Sequence, residues 1–424
     1  MKNSKGKEAA IDIFRRHVSS GKANFFQNYG MDLVMGDRDG PYLADMDGEK
    51  RLFNLHCNGG VFNLGHRNRE LIDVFTEALG EIDIGNHHLL SRERALLAQA
   101  ISERMPGDLT YTIFGVSGGE AVDLAIRIAR GATKRTKIIS AKGGYHGHTG
   151  LAIAAGDEKY YAPFGPSAPG FVQVPFGDVE ALAGEAGDDT AAVIVETVPA
   201  TLGVVIPPEG YFESVRRVCD DRGVLLILDE IQTGLGRTGK LWGFEHFDIV
   251  PDIVVLGKGL SGGVCPITAT VIREPLEAVF HEDPFIHVST FGGAETACRV
   301  AKRVLEISSA DGFLDHVNGL ADAFAREIGR LMEKHSGYLT GFRQLGLMMG
   351  LVTKDELAGP ILSKTAFDND LLMVFCGNDM SVCQCLPPLV MELEMVEGVM
   401  TRLDKAIEEA ALMREMLGDD WSIF

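Results

Sequence analysis

Apolar residues follow two patterns along this chain, and the change between them divides it. Residues 8–20 place apolar side chains at helical spacing and predict a short amphipathic helix. Leu33-Val34-Met35-Gly36 and the stretch 42–48 predict hairpin strands, with turn chemistry at 37–40 and Asp47-Gly48. From about residue 66, helical stretches at 92–105 and 119–131 alternate with apolar runs at 110–114, 137–140, 191–196, 224–229 and 253–257. A further strand is expected over 266–272. Runs such as Ala191-Ala192-Val193-Ile194-Val195 are apolar without alternation, which suits strands buried on both faces of a parallel sheet.

Beyond about 295 the pattern is mainly helical, at 295–308, 313–335 and 395–418, with short strands near 345–352, 370–374 and 382–386. The expected fold is α/β. A large domain over 66–300 carries a mostly parallel central sheet covered by helices, and both chain ends, 1–65 and 301–424, build a smaller α+β domain.

Composition narrows the function. A formal net charge of -20 argues against a general nucleic-acid or anionic-membrane binder. Seven cysteines, an odd number scattered over 424 residues, fit reduced thiols in a cytoplasm. Met1-Lys2-Asn3-Ser4-Lys5-Gly6-Lys7 leads into no apolar signal core, and no window approaches the roughly 18 apolar residues of a membrane span. A soluble cytoplasmic protein is expected.

Two of the apolar runs end in chemistry. Val224-Leu225-Leu226-Ile227-Leu228 is followed by Asp229, and Ile253-Val254-Val255-Leu256 by Gly257-Lys258-Gly259. An acid at the carboxyl end of a central strand stands where open α/β sheets bind ligands, although alone it is equally a helix cap. Such an acid can hold a pyridine nitrogen protonated. A lysine wedged between an apolar run and glycines is not a solvated charge; burial lowers its pKa and frees the amine for a Schiff base with an aldehyde. These are the two groups that pyridoxal phosphate needs most.

Ser117-Gly118-Gly119 opens the helix expected over 119–131, and bare amides there suit a phosphate, though Ser117 by itself is an ordinary cap. Tyr145, within Gly143-Gly144-Tyr145-His146-Gly147-His148, offers an aromatic plane for stacking on a cofactor. Ile231 can pack on a ring face and Gln232 can bond a ring hydroxyl, whereas core packing alone would explain Ile231. Residues 234–240 have the outline of a nucleotide phosphate loop, but Leu241 stands where a magnesium-holding Ser or Thr belongs. His87-His88, His146 with His148, and Cys383-Gln384-Cys385 lack a second pair at zinc spacing, so no metal site is expected.

Taken in order, these segments resemble the class III aminotransferases, a branch of the fold-type I pyridoxal-phosphate enzymes. The resemblance runs from Asp45-Met46-Asp47-Gly48 and Leu64-Gly65-His66 to Leu386-Pro387-Pro388-Leu389. It is most specific at 228–234, at Gly257-Lys258-Gly259-Leu260 and at Ser289-Thr290-Phe291-Gly292-Gly293. It implies pyridoxal 5'-phosphate as cofactor, with Lys258 forming the Schiff base and shuttling a proton, and Asp229 paired with the pyridinium nitrogen. It also implies that Tyr145 and Ile231 sandwich the ring, that Gln232 approaches its phenolic oxygen, and that Ser117, Gly118 and Gly119 bind the phosphate. His146 and Glu196 belong to the same cofactor-binding set. Thr290 would reach the phosphate of a neighbouring subunit, which implies a homodimer or dimer of dimers. The partners implied are a small-molecule amino donor and an oxo-acid acceptor.

The departures concern substrate. The family usually has Ser-Gly-Thr where this chain has Ser117-Gly118-Gly119, so a hydroxyl is missing. Glu196-Thr197-Val198-Pro199-Ala200-Thr201 stands where Glu-Pro and a Gln-Gly stretch are common, with Thr201 near the place of a switching glutamate. Gln384 replaces the arginine that reads a substrate α-carboxylate, and a neutral amide does not reproduce a guanidinium fork. The expected reaction is amino transfer from an amine or amino acid to an oxo acid, with an ω-amine, a β-amino acid or a biosynthetic intermediate favoured as donor. The alternative is a racemase, epimerase, mutase or lyase on the same fold; a non-enzymatic scaffold fits poorly with Lys258 and Asp229 both present. In relatives, the segments holding Cys57, Asn58, Phe62, His87 and His88 border the pocket.

Overall fold

A computed structural model describes residues 6–418. Seven strands form the large sheet: β1 (Leu109–Gly115), β2 (Lys137–Ala141), β3 (Phe171–Val174), β4 (Thr190–Glu196), β5 (Leu225–Asp229), β6 (Ile253–Leu256) and β7 (Thr268–Arg273). They lie in the order β1-β7-β6-β5-β4-β2-β3. Only β7 runs against its neighbours; every other pairing is parallel.

The unalternated apolar runs have the cause expected of them. β4 and β6 are buried at every position, and successive residues go to opposite faces. Ile194, Ile227, Ile253 and Val255 pack under α1 (Gly118–Thr133), which buries Ala121, Val122, Ala125, Ile126 and Ala129. Val193, Val195, Leu226, Leu228, Val254 and Leu256 meet the helices Tyr211–Arg222 and Glu295–Ser308 on the other side.

Two smaller sheets flank this layer. Met35–Asp39, Tyr42–Asp45 and Arg51–Asn54 form an antiparallel meander, which Leu371–Leu372 joins in parallel, so residues near both chain ends meet. Leu339–Leu345, Met348–Thr353, Val382–Cys385 and Val374–Phe375 form the other, antiparallel throughout. The helices Phe313–Lys334, Ala358–Asp368 and Met395–Leu417 share its core. Among the described residues no helix is long and apolar enough to cross a membrane.

Several expected elements differ in detail. The first helix stops at His17, because Ser19 caps a second helix, Ser20–Asn28, by accepting from Lys22 N at 3.1 Å. The first hairpin strand runs on through Asp39, into the expected turn residues 37–40, with its side chains mostly exposed. Ala358–Asp368 begins Ala-Gly-Pro, a helix-breaking sequence that is tolerated only because it falls in the first turn. The single strand expected near 370–374 is two, and they enter different sheets.

The turn between Leu339–Leu345 and Met348–Thr353 presses on the large domain at Gly346, which has φ +59°. A Cβ there would stand 2.2 Å from the Thr238 carbonyl carbon. Gly346→Ala is therefore expected to destabilise by about 2 kcal/mol or more through strain and overlap, read as a lowered denaturant midpoint. A midpoint equal to wild type would show that this contact is not made.

Candidate functional site

Register assembles the site. Glu196 and Asp229 end β4 and β5 side by side, Asp229 pairs with Val255 of β6, and the chain leaving β6 turns at Gly257 to present Lys258. Lys258 has φ +41°, a left-handed backbone that costs a lysine roughly 1–2 kcal/mol. The loop beneath it is also left-handed, at Cys57, Asn58 and Gly59. A Cβ on Gly59 would lie 3.3 Å from Lys258 Nζ, so glycine there leaves room for the amine.

Asp229 is buried and held from two sides. His146 Nδ1 donates to its Oδ2 at 2.8 Å, and Ile231 N donates to Oδ1 at 3.1 Å. Burial opposes charge on His146, but the bond to Asp229 and its field outweigh that and hold the imidazole above its ordinary pKa. Its Nε2 is buried without a partner among the described residues. Glu196 accepts from Tyr145 N at 3.0 Å. Burial pushes its carboxyl up to about 7, with His146 pulling down and Asp229 pushing up.

Burial holds Lys258 below the usual lysine range, partly offset by Asp229 and Glu196. Lys258 Nζ donates to Gln232 Oε1 at 2.9 Å, and Gln232 Nε2 reaches Gln384 Oε1 at 3.5 Å. Gln384 itself is buried, on Val382–Cys385. Position 384 thus stands two hydrogen bonds from the amine, and it is neutral.

Ser117, Gly118, Gly119, Tyr145, His146, Glu196, Asp229, Ile231, Gln232 and Lys258 all line one cavity of about 310 Å³. Thr290 does not; it is exposed on the turn before Glu295–Ser308. His87 and His88 are not brought to this cavity either. Their rings lie 4.1 Å apart, and His87 lines a separate hollow with Arg94, Thr112 and Phe285. In the loop 234–240, Arg237 is buried and donates to Leu347 O, Pro387 O and Asn63 Oδ1, bracing the chain.

Thr149, Val198 and Thr233 line the cavity without having been singled out in the sequence. Asn378 and Arg343 were equally unmarked. Asn378 N donates to Thr201 O at 2.8 Å, its Nδ2 donates to Gly143 O, and its Oδ1 accepts from Tyr160 OH at 3.2 Å. Arg343 Nη1 donates to Gly203 O at 2.6 Å. No local pattern betrays these contacts, since each joins segments more than a hundred residues apart.

The cavity has the parts a flat phosphorylated pyridine requires. The amino end of α1 offers amides, of which Ser117 Oγ accepts only Glu120 N, at 3.3 Å. A Cβ on Gly118 would come within 2.9 Å of Ile231 Cδ1, so the glycine keeps that end open. A buried carboxylate, an orphaned imidazole nitrogen and an amine of lowered pKa complete the set.

A family model for aminotransferase class-III matches residues 27–407. An uncharacterized aminotransferase of Archaeoglobus fulgidus is 53% identical over 413 residues, 97% of each chain. Among solved structures, the ornithine aminotransferase of Toxoplasma gondii, described with partial occupancy of PLP at its active site, is similar with a TM-score of 0.88 at 27% identity over 97% of each chain. An (S)-enantioselective omega-transaminase of Thermomicrobium roseum gives a TM-score of 0.82 at 28% identity, over 89% of this chain and 93% of its own.

Glu196 has a measurable signature. Its ordinary value is 4.5 and the folded value is about 7, so between them the folded state binds the extra proton. That contribution to stability is complete below 4.5 and is lost as pH rises through 7. The cofactor-free protein should lose melting temperature over this window, and Glu196→Gln should flatten the loss. An identical slope in both proteins would rule out Glu196 as the titrating group.

Proposed function

The chain belongs to the class III aminotransferases, and we propose that it moves an amino group to an oxo acid from a donor whose reacting carbon bears no carboxylate, such as an ω-amine or a β-amino acid. It is a transaminase that uses pyridoxal phosphate. The observation that carries the donor class is Gln384, buried and bonded to the same Gln232 that accepts from Lys258. A carboxylate beside the reacting carbon, of an α-amino acid or of 2-oxoglutarate, would find an amide there and no guanidinium, which disfavours that substrate pair. Thr201, with its hydroxyl buried and unpartnered, adds a neutral group and no charge.

When bound, pyridoxal phosphate supplies an electron sink for the pair left on the donor carbon as its proton departs. The residues provide the rest. Lys258 would be the residue that holds the cofactor's aldehyde carbon, and its Nζ, freed when the donor amine takes its place, would carry the proton from the donor carbon to that aldehyde carbon. Asp229, fixed by His146, would keep the ring nitrogen protonated. Tyr145 and Ile231 would cover the ring faces, Gln232 would turn its amide to the ring oxygen, and the amides at Ser117, Gly118 and Gly119 would take the phosphate. Glu196 holds the Tyr145 loop through its amide.

Self-association as a homodimer or dimer of dimers belongs to this reading, with Thr290 serving the neighbouring site. Exposed Leu89, Leu90, Phe285, Ile286 and Phe291 on nearby segments supply apolar surface for such contact. A cytoplasmic location goes with the same reading.

Transfer is tested with a donor labelled with heavy nitrogen. The label should appear in the amino product formed from the oxo acid, and Lys258→Ala should abolish it. Label retained in the donor, or released as ammonia, would replace transamination with isomerisation or elimination. Gln384→Arg should raise kcat/KM for α-amino acids by about tenfold or more relative to ω-amines, from the gain of a charged fork. An unchanged ratio would remove position 384 as the selector.

A further inference from the structure

Gly119 is a glycine without a backbone reason. It is the second residue of α1 and its backbone is not left-handed, so glycine's conformational freedom is not what places it there. The reason is a neighbour. A Cβ at 119 would stand 2.5 Å from Thr149 Oγ1 and 3.0 Å from Thr149 Cγ2, so the threonine occupies the space in which a side chain at 119 would lie. The loop comes this close because Gly147, at φ +120°, lies against the same helix end; a Cβ there would be 2.8 Å from Gly119 Cα.

Thr149 is exposed at the cavity mouth, and among the described residues its hydroxyl has no partner within the protein. It precedes the short helix Gly150–Ala155, where a threonine would ordinarily cap, yet its side chain makes no cap bond. Asp123 does that work from α1, its Oδ1 accepting from Leu151 N at 2.8 Å and Ala152 N at 2.7 Å. Thr149 lines the same cavity as Ser117, Gly118, Gly119 and Lys258.

We propose that Thr149 Oγ donates a hydrogen bond to the cofactor phosphate, supplying from the loop 147–149 the hydroxyl that Gly119 lacks. The inference rests on the reading of this helix end as the phosphate site. The exchange is reciprocal, because the two positions share one volume. A side chain at 119 would force Thr149 out of its present rotamer, and this chain keeps the hydroxyl on the loop side. Asp123 is what releases it.

The test compares Thr149→Val, which keeps the shape and removes the hydroxyl, with Thr149→Ser, which keeps the hydroxyl. Equilibrium dialysis of pyridoxal phosphate should show Thr149→Val weakened roughly tenfold or more, and Thr149→Ser within about twofold of wild type. The phosphorus resonance of the bound cofactor should move in Thr149→Val and stay in Thr149→Ser. Thr149→Ala, which carries no branched side chain, should follow Thr149→Val and serves should the valine fail to fold. Equal affinity and an unmoved resonance in the variants lacking the hydroxyl would overturn the proposal. Borohydride reduction and peptide mass separate the two levels of failure. An adduct on Lys258 together with unaltered cofactor binding in Thr149→Val would discard Thr149 alone, whereas an adduct on another lysine would discard the site reading with it.

Discussion

The site depends on the bond between Asp229 and His146, both buried. Taking a carboxylate and an imidazole out of water costs several kcal/mol for each charge, and only close geometry with further bonds offsets it. Here the carboxylate has the imidazole on one oxygen and the Ile231 amide on the other. The consequence extends along the loop. Fixing His146 fixes the residues on either side of it, so Tyr145, Gly147 and Thr149 take their places over the carboxyl edge of the sheet. Glu196, one strand away, shares that dry environment without an equally close cation, and it is the carboxyl that moves towards neutrality.

What was legible in the sequence follows from the range of the interactions. The strands β4 to β6 announce themselves because burial on both faces leaves apolar runs; Glu196 and Asp229, which end two of them, are placed by register, and Lys258 by the turn that follows the third. The meander near the amino terminus was harder to bound, since its first strand is mostly exposed and its pattern therefore weak. β3 was not anticipated, being four residues at the sheet edge with Gln173 among them. The resemblance draws His87 and His88 towards the site, but within this chain His88 packs between His87 and Phe285. The roles of Asn378 and Arg343 rest on contacts to carbonyl groups, which any residue can offer and no sequence pattern records.

The site also separates two kinds of residue. Those around the proposed ring and phosphate positions come from short motifs at strand ends and one helix start, where backbone geometry dictates residue type. Those proposed to bear on the donor, Gln384 and Thr201, come from elements that meet through the C-terminal sheet. Gly119 and Thr149 show the intermediate case. A residue that looks like a loss when read alone is the complement of another thirty positions on.

The bracing from the C-terminal sheet bears on how the protein is made. All the residues lining the cavity lie between 117 and 258, while Arg343, Asn378 and Gln384, which hold its walls, are added later in synthesis. A growing chain thus carries the cavity-lining side chains of this cluster well before it carries the residues that brace them.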